Sequence, residues 1–203
     1  LIGGTEDFNS SVDGDDKGAD NRDRAFGQDG DDLFVWTPGD GSDFFDGGDG
    51  IDVVVFGKIG ELRNEDNVTT GEPIFSVNAS GTFDGIFLDA YNQPQIQVSD
   101  TPGFCSLVNA QNYVDEFELL DIDQIVRFSL RGKANAFDAG EVSDDDGLRV
   151  AVTLKNTEFV VCTQRDFDAE NGLGNIEVLD ISSGVPLLAS ISDLPNYIQA
   201  LIQ

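Results

Sequence analysis

Between Gly27 and Phe56 the chain reads GQDGDDLFV, WT, PGDGSDFFD and GGDGIDVVVF, three nine-residue units on one plan. Each opens with a Gly/Asp-rich hexad whose sixth residue is aspartate: Asp32, Asp43 and Asp52. A short triplet follows, with Phe34, Phe45 and Val54 at its middle, the eighth position of the unit. A weaker unit, GADNRDRAF, lies just upstream from Gly18 to Phe26 and carries Asp23 in the sixth place. A short period of this kind decides more about the fold than overall composition does, because every copy must solve the same packing problem.

Glycines in each hexad open turn conformations closed to residues with a Cβ. The triplets LFV, FFD and VVV are rich in strand formers, and alternation puts the eighth residue on the inward face. Two units then make one coil of a parallel β-roll, and units two apart stack on the same edge. The spacing places Asp32 and Asp52 on one edge, Asp23 and Asp43 on the other. A cation on each edge is expected between stacked turns, held by carboxylates and inward carbonyls. Trp36 and Thr37 are inserted between units, and Pro38 stands where glycine is expected. Trp36 is expected to cover the end of the small apolar interior. So few coils need a neighbour to bury their faces, and the roll is expected to pack against the chain beyond Lys58.

The charge balance points the same way. The chain of 203 residues has 39 acidic and 11 basic side chains, a formal charge of −28. Such an excess makes nucleic acid an improbable partner. Hydrophobic residues, including 15 Phe, still make up 39% of the chain, enough for a core. An oxygen-rich chain without histidine selects a hard ion, Ca2+, as its cofactor.

The lack of histidine also removes Ser-His and Cys-His relays and most catalytic zinc sites. Carboxylate-pair hydrolysis is the enzymatic alternative, with the groups Glu116, Glu118, Asp121, Asp123 and Asp144–Asp146 as its material. In so acidic a chain these groups arise without function, and a non-catalytic role is expected. Asp138 and Asp144–Asp146 read as a solvated turn rather than an additional calcium loop. Phe83, Phe87, Tyr91, Tyr113 and Phe117 suggest either core packing or stacking on carbohydrate or protein at a cell surface. No apolar run is long enough to span a membrane. The first residue is Leu1, not methionine, and a start inside a longer precursor or after processing is expected. Cys105 and Cys162 permit one disulfide in an oxidising compartment or stand as two thiols.

The three units resemble the nonapeptide repeats of the RTX, or haemolysin-type, calcium-binding proteins of bacteria. The resemblance covers about residues 18–56 and implies a secreted or cell-surface protein whose roll folds on calcium outside the cell. Carried over residue by residue, it implies carboxylate ligands at Asp32, Asp43, Asp52 and Asp23. It implies further ligands in the turns at Gly27, Asp29, Gly39, Gly41, Gly48 and Gly50. Gln28 and Pro38, both in place of glycine, depart from the pattern.

The remainder reads as strands. Candidates are Pro73–Val77, Thr82–Leu88, Gln95–Val98, Phe104–Val108, Phe117–Leu119, Ile125–Leu130, Leu148–Leu154, Glu158–Cys162, Asn175–Ile181 and Leu187–Ile191. One short amphipathic helix is expected over Leu194–Ile202, with Asp193 as cap and Pro195 in its first turn. The expected fold is all-β: a calcium-binding parallel β-roll over residues 1–57, continuous with a larger β-rich roll, helix or sandwich over 58–203. The expected function is that of a secreted calcium-binding structural or adhesion-type protein. The rival is a fragment of a secreted hydrolase whose roll serves export and folding.

Overall fold

The computed structural model describes residues 24–37, 41–59, 62–63, 69–71, 96–99, 101, 103–130, 149–167 and 174–202. The candidate strands Pro73–Val77 and Thr82–Leu88 lie outside these residues, as do Asp23, Gly39, Asp138 and Asp144–Asp146.

The repeats form four strands, β1 (Arg24–Asp29), β2 (Leu33–Trp36), β3 (Phe44–Asp49) and β4 (Val53–Phe56). β1 lies parallel to β3 with Arg24 opposite Phe44, and β2 lies parallel to β4 with Leu33 opposite Val53. Strands alternate between two sheets because each hexad reverses the chain. At the reversals Gly30 and Gly50 take φ of 118° and 153°, values that residues with a Cβ rarely adopt.

A third layer comes from far along the chain. β11 (Arg149–Lys155) lies parallel to β3, with Leu154 opposite Phe45. β12 (Phe159–Phe167) lies parallel to β4, with Val160 opposite Val54. From there the pairing turns antiparallel. β10 (Gln124–Leu130) joins β11, and β9 (Gly103–Leu107) joins β10. β13 (Gly174–Asp180) joins β12, and β14 (Leu187–Ala189) joins β13. The result is two five-stranded sheets, ordered β1-β3-β11-β10-β9 and β14-β13-β12-β4-β2. Two small antiparallel pairs stand apart from them: β5 (Lys58–Ile59) with β8 (Ile96–Gln97), and β6 (Leu62–Arg63) with β7 (Thr69–Gly71).

The core explains why the triplets LFV and VVV are apolar at every position. Phe34, Trp36, Val54 and Phe56 meet Phe45, Val126, Phe128, Val152 and Leu154 between the sheets. Phe34 and Phe45 stack at 5.2 Å, and Trp36 sits 4.7 Å from Phe128. Leu33, Val35, Val53 and Val55 face the other way, where Ile96, Val98, Leu194, Ile198 and Leu201 cover them. A sheet covered on both faces reads as a continuous apolar run. Full burial of a Val or Phe side chain stabilises by about 1.5–3 kcal/mol, so these two layers carry much of the fold.

Among the described residues there are two short α-helices, α1 (Val114–Leu120) and α2 (Asn196–Gln199). α1 replaces the expected strand Phe117–Leu119. Asp115 and Glu116 sit in its first turn, where the helix dipole favours acids, and Asp121 closes it with φ of 54°. Only Phe117 is buried, and Leu119 is 84% exposed, so the alternation Phe117/Leu119 did not mark one face of a strand. The expected C-terminal helix is shorter. A 3-10 turn over Ile191–Asp193, capped by Ser190, precedes Pro195 and α2.

The all-β roll is therefore corrected to a mixed α/β fold with two five-stranded sheets. The resemblance to RTX proteins is corrected with it, since the sheets do not close or curl into a roll. The physical reason is that the repeats supply too few strands to propagate. Strands from residues 103–130 and 149–189 complete both sheets, and most of them run antiparallel.

Candidate acidic site at the stacked corners

Three acids occupy equivalent corners of the stack, each directly before a strand of the second sheet: Asp32 before β2, Asp52 before β4 and Glu158 before β12. They are linked through the backbone. The Asp32 N–H donates to Asp52 Oδ1 at 2.8 Å, and the Asp52 N–H donates to Glu158 Oε2 at 2.7 Å. The Glu158 and Phe159 N–H groups both return to the Asp52 carbonyl at 3.0 Å. Beside this row, the Ile51 N–H donates to Asp31 Oδ1 at 3.0 Å, and Tyr197 Oη donates to the Asp31 carbonyl at 2.6 Å.

Close approach makes the row possible. A Cβ at Gly47 would collide with the Asn156 carbonyl and the Asp52 side chain, and one at Gly27 with the Gly47 carbonyl and the Asp32 carboxylate. The Gly27–Gly47 column thus lets the corners stack with their carboxylates tucked against backbone.

Burial dominates the electrostatics. Asp52 is fully buried, and its Oδ2 has no hydrogen-bond partner. Burial pushes its carboxyl up to about 6; the Asp32 N–H opposes this, while Glu158, Asp32 and Asp31 add to it. Burial also raises Glu158 and Asp32 above the usual carboxylate range. Tyr197 is pushed up to about 12 by burial, with Asp32, Asp31 and Asp52 contributing.

The residues expected to bind calcium fall in several places. Asp32 and Asp52 come together in the row. Asp43 is buried at the far end of β3, where its carbonyl accepts the Thr153 N–H at 2.8 Å. The Gly41 carbonyl accepts Trp36 Nε1 at 3.1 Å, which ties that turn to the core. Asp29 is exposed on β1 opposite Asp49, Gly27 lies in β1, Gly48 lies in β3 with a positive φ, and Gly50 stands at the reversal before β4. Among the described residues no group of three or more His, Cys, Asp or Glu side chains is arranged to hold a metal ion. The expected calcium-driven structural or adhesion function is corrected on that ground; one oxygen each of Asp52 and Glu158 is turned onto a backbone N–H.

Glu158, Tyr197 and Asn156 are the members that the repeat pattern did not reveal. Their signal was present in part: Glu158-Phe159-Val160-Val161 copies Asp52-Val53-Val54-Val55 as an acid followed by three apolar residues, but without the glycines. Asn156 takes φ of 46°; its N–H donates to Asp123 Oδ2 at 2.6 Å and its amide to Asp46 Oδ1 at 2.8 Å. Asp121 pairs with Lys155. Asp121 and Asp123, two of the seven acids considered for hydrolysis, are therefore occupied in bracing the third corner.

The fold and site define an acidic two-sheet protein whose repeat corners are held by carboxylates. Comparison with family models, with curated proteins and with solved structures finds no match to this chain. No helix among the described residues is long and apolar enough to cross a membrane.

Proposed function

We propose that this protein is a non-enzymatic scaffold that presents a strongly acidic surface to a positively charged protein partner. One observation supports it above others: the carboxylates at the stacked corners accept N–H groups of their own chain, instead of facing one another across a cleft. Carboxylates used in this way fix turns and register, whereas a glycosidase keeps two of them open to a sugar. The formal charge of −28 favours a basic partner by long-range attraction.

Glu158→Ala tests the reading. A scaffold loses stability, because the buried Asp52 N–H is left without its acceptor. An unchanged melting temperature, together with loss of hydrolysis on a panel of chromogenic glycosides, would overturn it in favour of an enzyme. Calcium is proposed here only as counter-charge to the row. At pH 7.5 it is expected to raise the melting temperature of the wild type more than that of Glu158→Gln, and equal rises would remove it from the account.

A further inference from the structure

We infer that Cys105 and Cys162 are a disulfide-forming pair that locks the two sheets together on oxidation. Both are thiols in this structure, and both belong to the core between the sheets, Cys162 fully buried and Cys105 partly so. They lie on facing sheets, Cys105 in β9 and Cys162 in β12. Cys105 is the direct cross-strand partner of Phe128, whose ring is in that core, so the two share an inward face.

Topology brings the strands into line. β9 is antiparallel to β10 and β10 to β11, and the corner Asn156–Glu158 reverses the chain into β12. β9 and β12 therefore run in opposite directions on the two sheets. Residues of the two strands approach to within 8 Å, Cα to Cα. They are pinned where Thr163 Oγ1 donates to the Gly103 carbonyl at 2.5 Å. Cys162, one residue before Thr163, faces the other way along β12, into the core against which Cys105 packs.

Their unequal exposure sets the order of the chemistry. The thiolate of Cys105, the more accessible, attacks glutathione disulfide to form a mixed disulfide and release one glutathione. Cys162 then attacks the Cys105 sulfur and releases the second. Two protein thiols are oxidised, one glutathione disulfide is reduced to two thiols, and two protons leave with them.

The test is to incubate the folded, reduced chain with glutathione disulfide, then count thiols and measure the intact mass. The expected product is a monomer lighter by two hydrogens, with no titratable thiol and a melting temperature raised by about 5–10 °C. Cys162→Ser is expected to stop at a stable glutathione adduct on Cys105. The inference is overturned if the wild type also stops at that adduct, if both thiols still titrate, or if disulfide-linked dimers form instead.

Discussion

The side chain of Glu158 accepts the backbone N–H of Asp52 at 2.7 Å, across a sequence separation of 106 residues. Through this bond a corner outside the repeats takes the place of a further repeat. It does so at an electrostatic cost, since Glu158, Asp52 and Asp32 follow one another and burial together with their neighbouring acids raises the Asp52 carboxyl.

Glu158→Ala removes the acceptor and leaves a buried N–H unsatisfied, so a loss of about 1–3 kcal/mol is expected in urea unfolding at pH 7.5. Glu158→Gln keeps an oxygen in place and removes a charge; it is expected to match or exceed the wild type. A Gln variant as damaged as the Ala variant would show that the charge itself supports the corner.

Stability should also fall as pH rises through the row's titration. The folded-state value of Asp52 is raised to about 6 from an ordinary 3.8, and Glu158 and Asp32 are raised as well. Between these values the folded chain binds more protons than the unfolded one. The contribution is therefore fully present below about pH 4 and is lost as pH climbs past 6. Melting temperatures measured from pH 4 to 8 should show the decline, and Asp52→Asn should flatten it. An identical decline in that variant would move its origin elsewhere on the acidic surface.

Gln28 and Gly48 are partners across β1 and β3, and both have positive φ, 76° and 102°. Gly48→Ala should destabilise by more than about 1 kcal/mol, because its Cβ would also collide with the Gln28 carbonyl. Gln28→Gly should be neutral or stabilising by up to about 1 kcal/mol, the relief of a left-handed side chain being partly offset by glycine's entropy. Thermal unfolding of the two variants checks the contrast.

Phe45 is fully buried and stacked on Phe34 at 5.2 Å. Phe45→Ala is expected to cost about 3–5 kcal/mol in chemical denaturation, as large-to-small changes in a packed core do. A loss below about 1 kcal/mol would mean that the sheets close over the gap.

Strand positions were legible wherever apolar residues formed a compact triplet or alternated. The middle residues Phe34, Phe45 and Val54 are all fully buried, and Leu148–Leu154 anticipates β11 within a residue or so at each end. The region Phe117–Leu119 misled because two apolar residues two apart fit a strand, while the acids before them fit a helix start. The candidate site was half legible. Asp32 and Asp52 stand out in their glycine-rich hexads, whereas Glu158 sits in Asn156-Thr157-Glu158, a corner with no glycine to announce it.

Local chemistry, read from the residues alone, determined where this chain bends and which residues face inward: glycine permits the left-handed corners, and a period of two sorts the side chains. Only the tertiary structure decided what lies beside β3 and β4. Alternation specifies faces but not neighbours, and a strand edge accepts any partner whose hydrogen bonds and side chains fit. The partners here are β11 and β12, far away in sequence, and with them the stack became two mixed sheets and acquired its third acid.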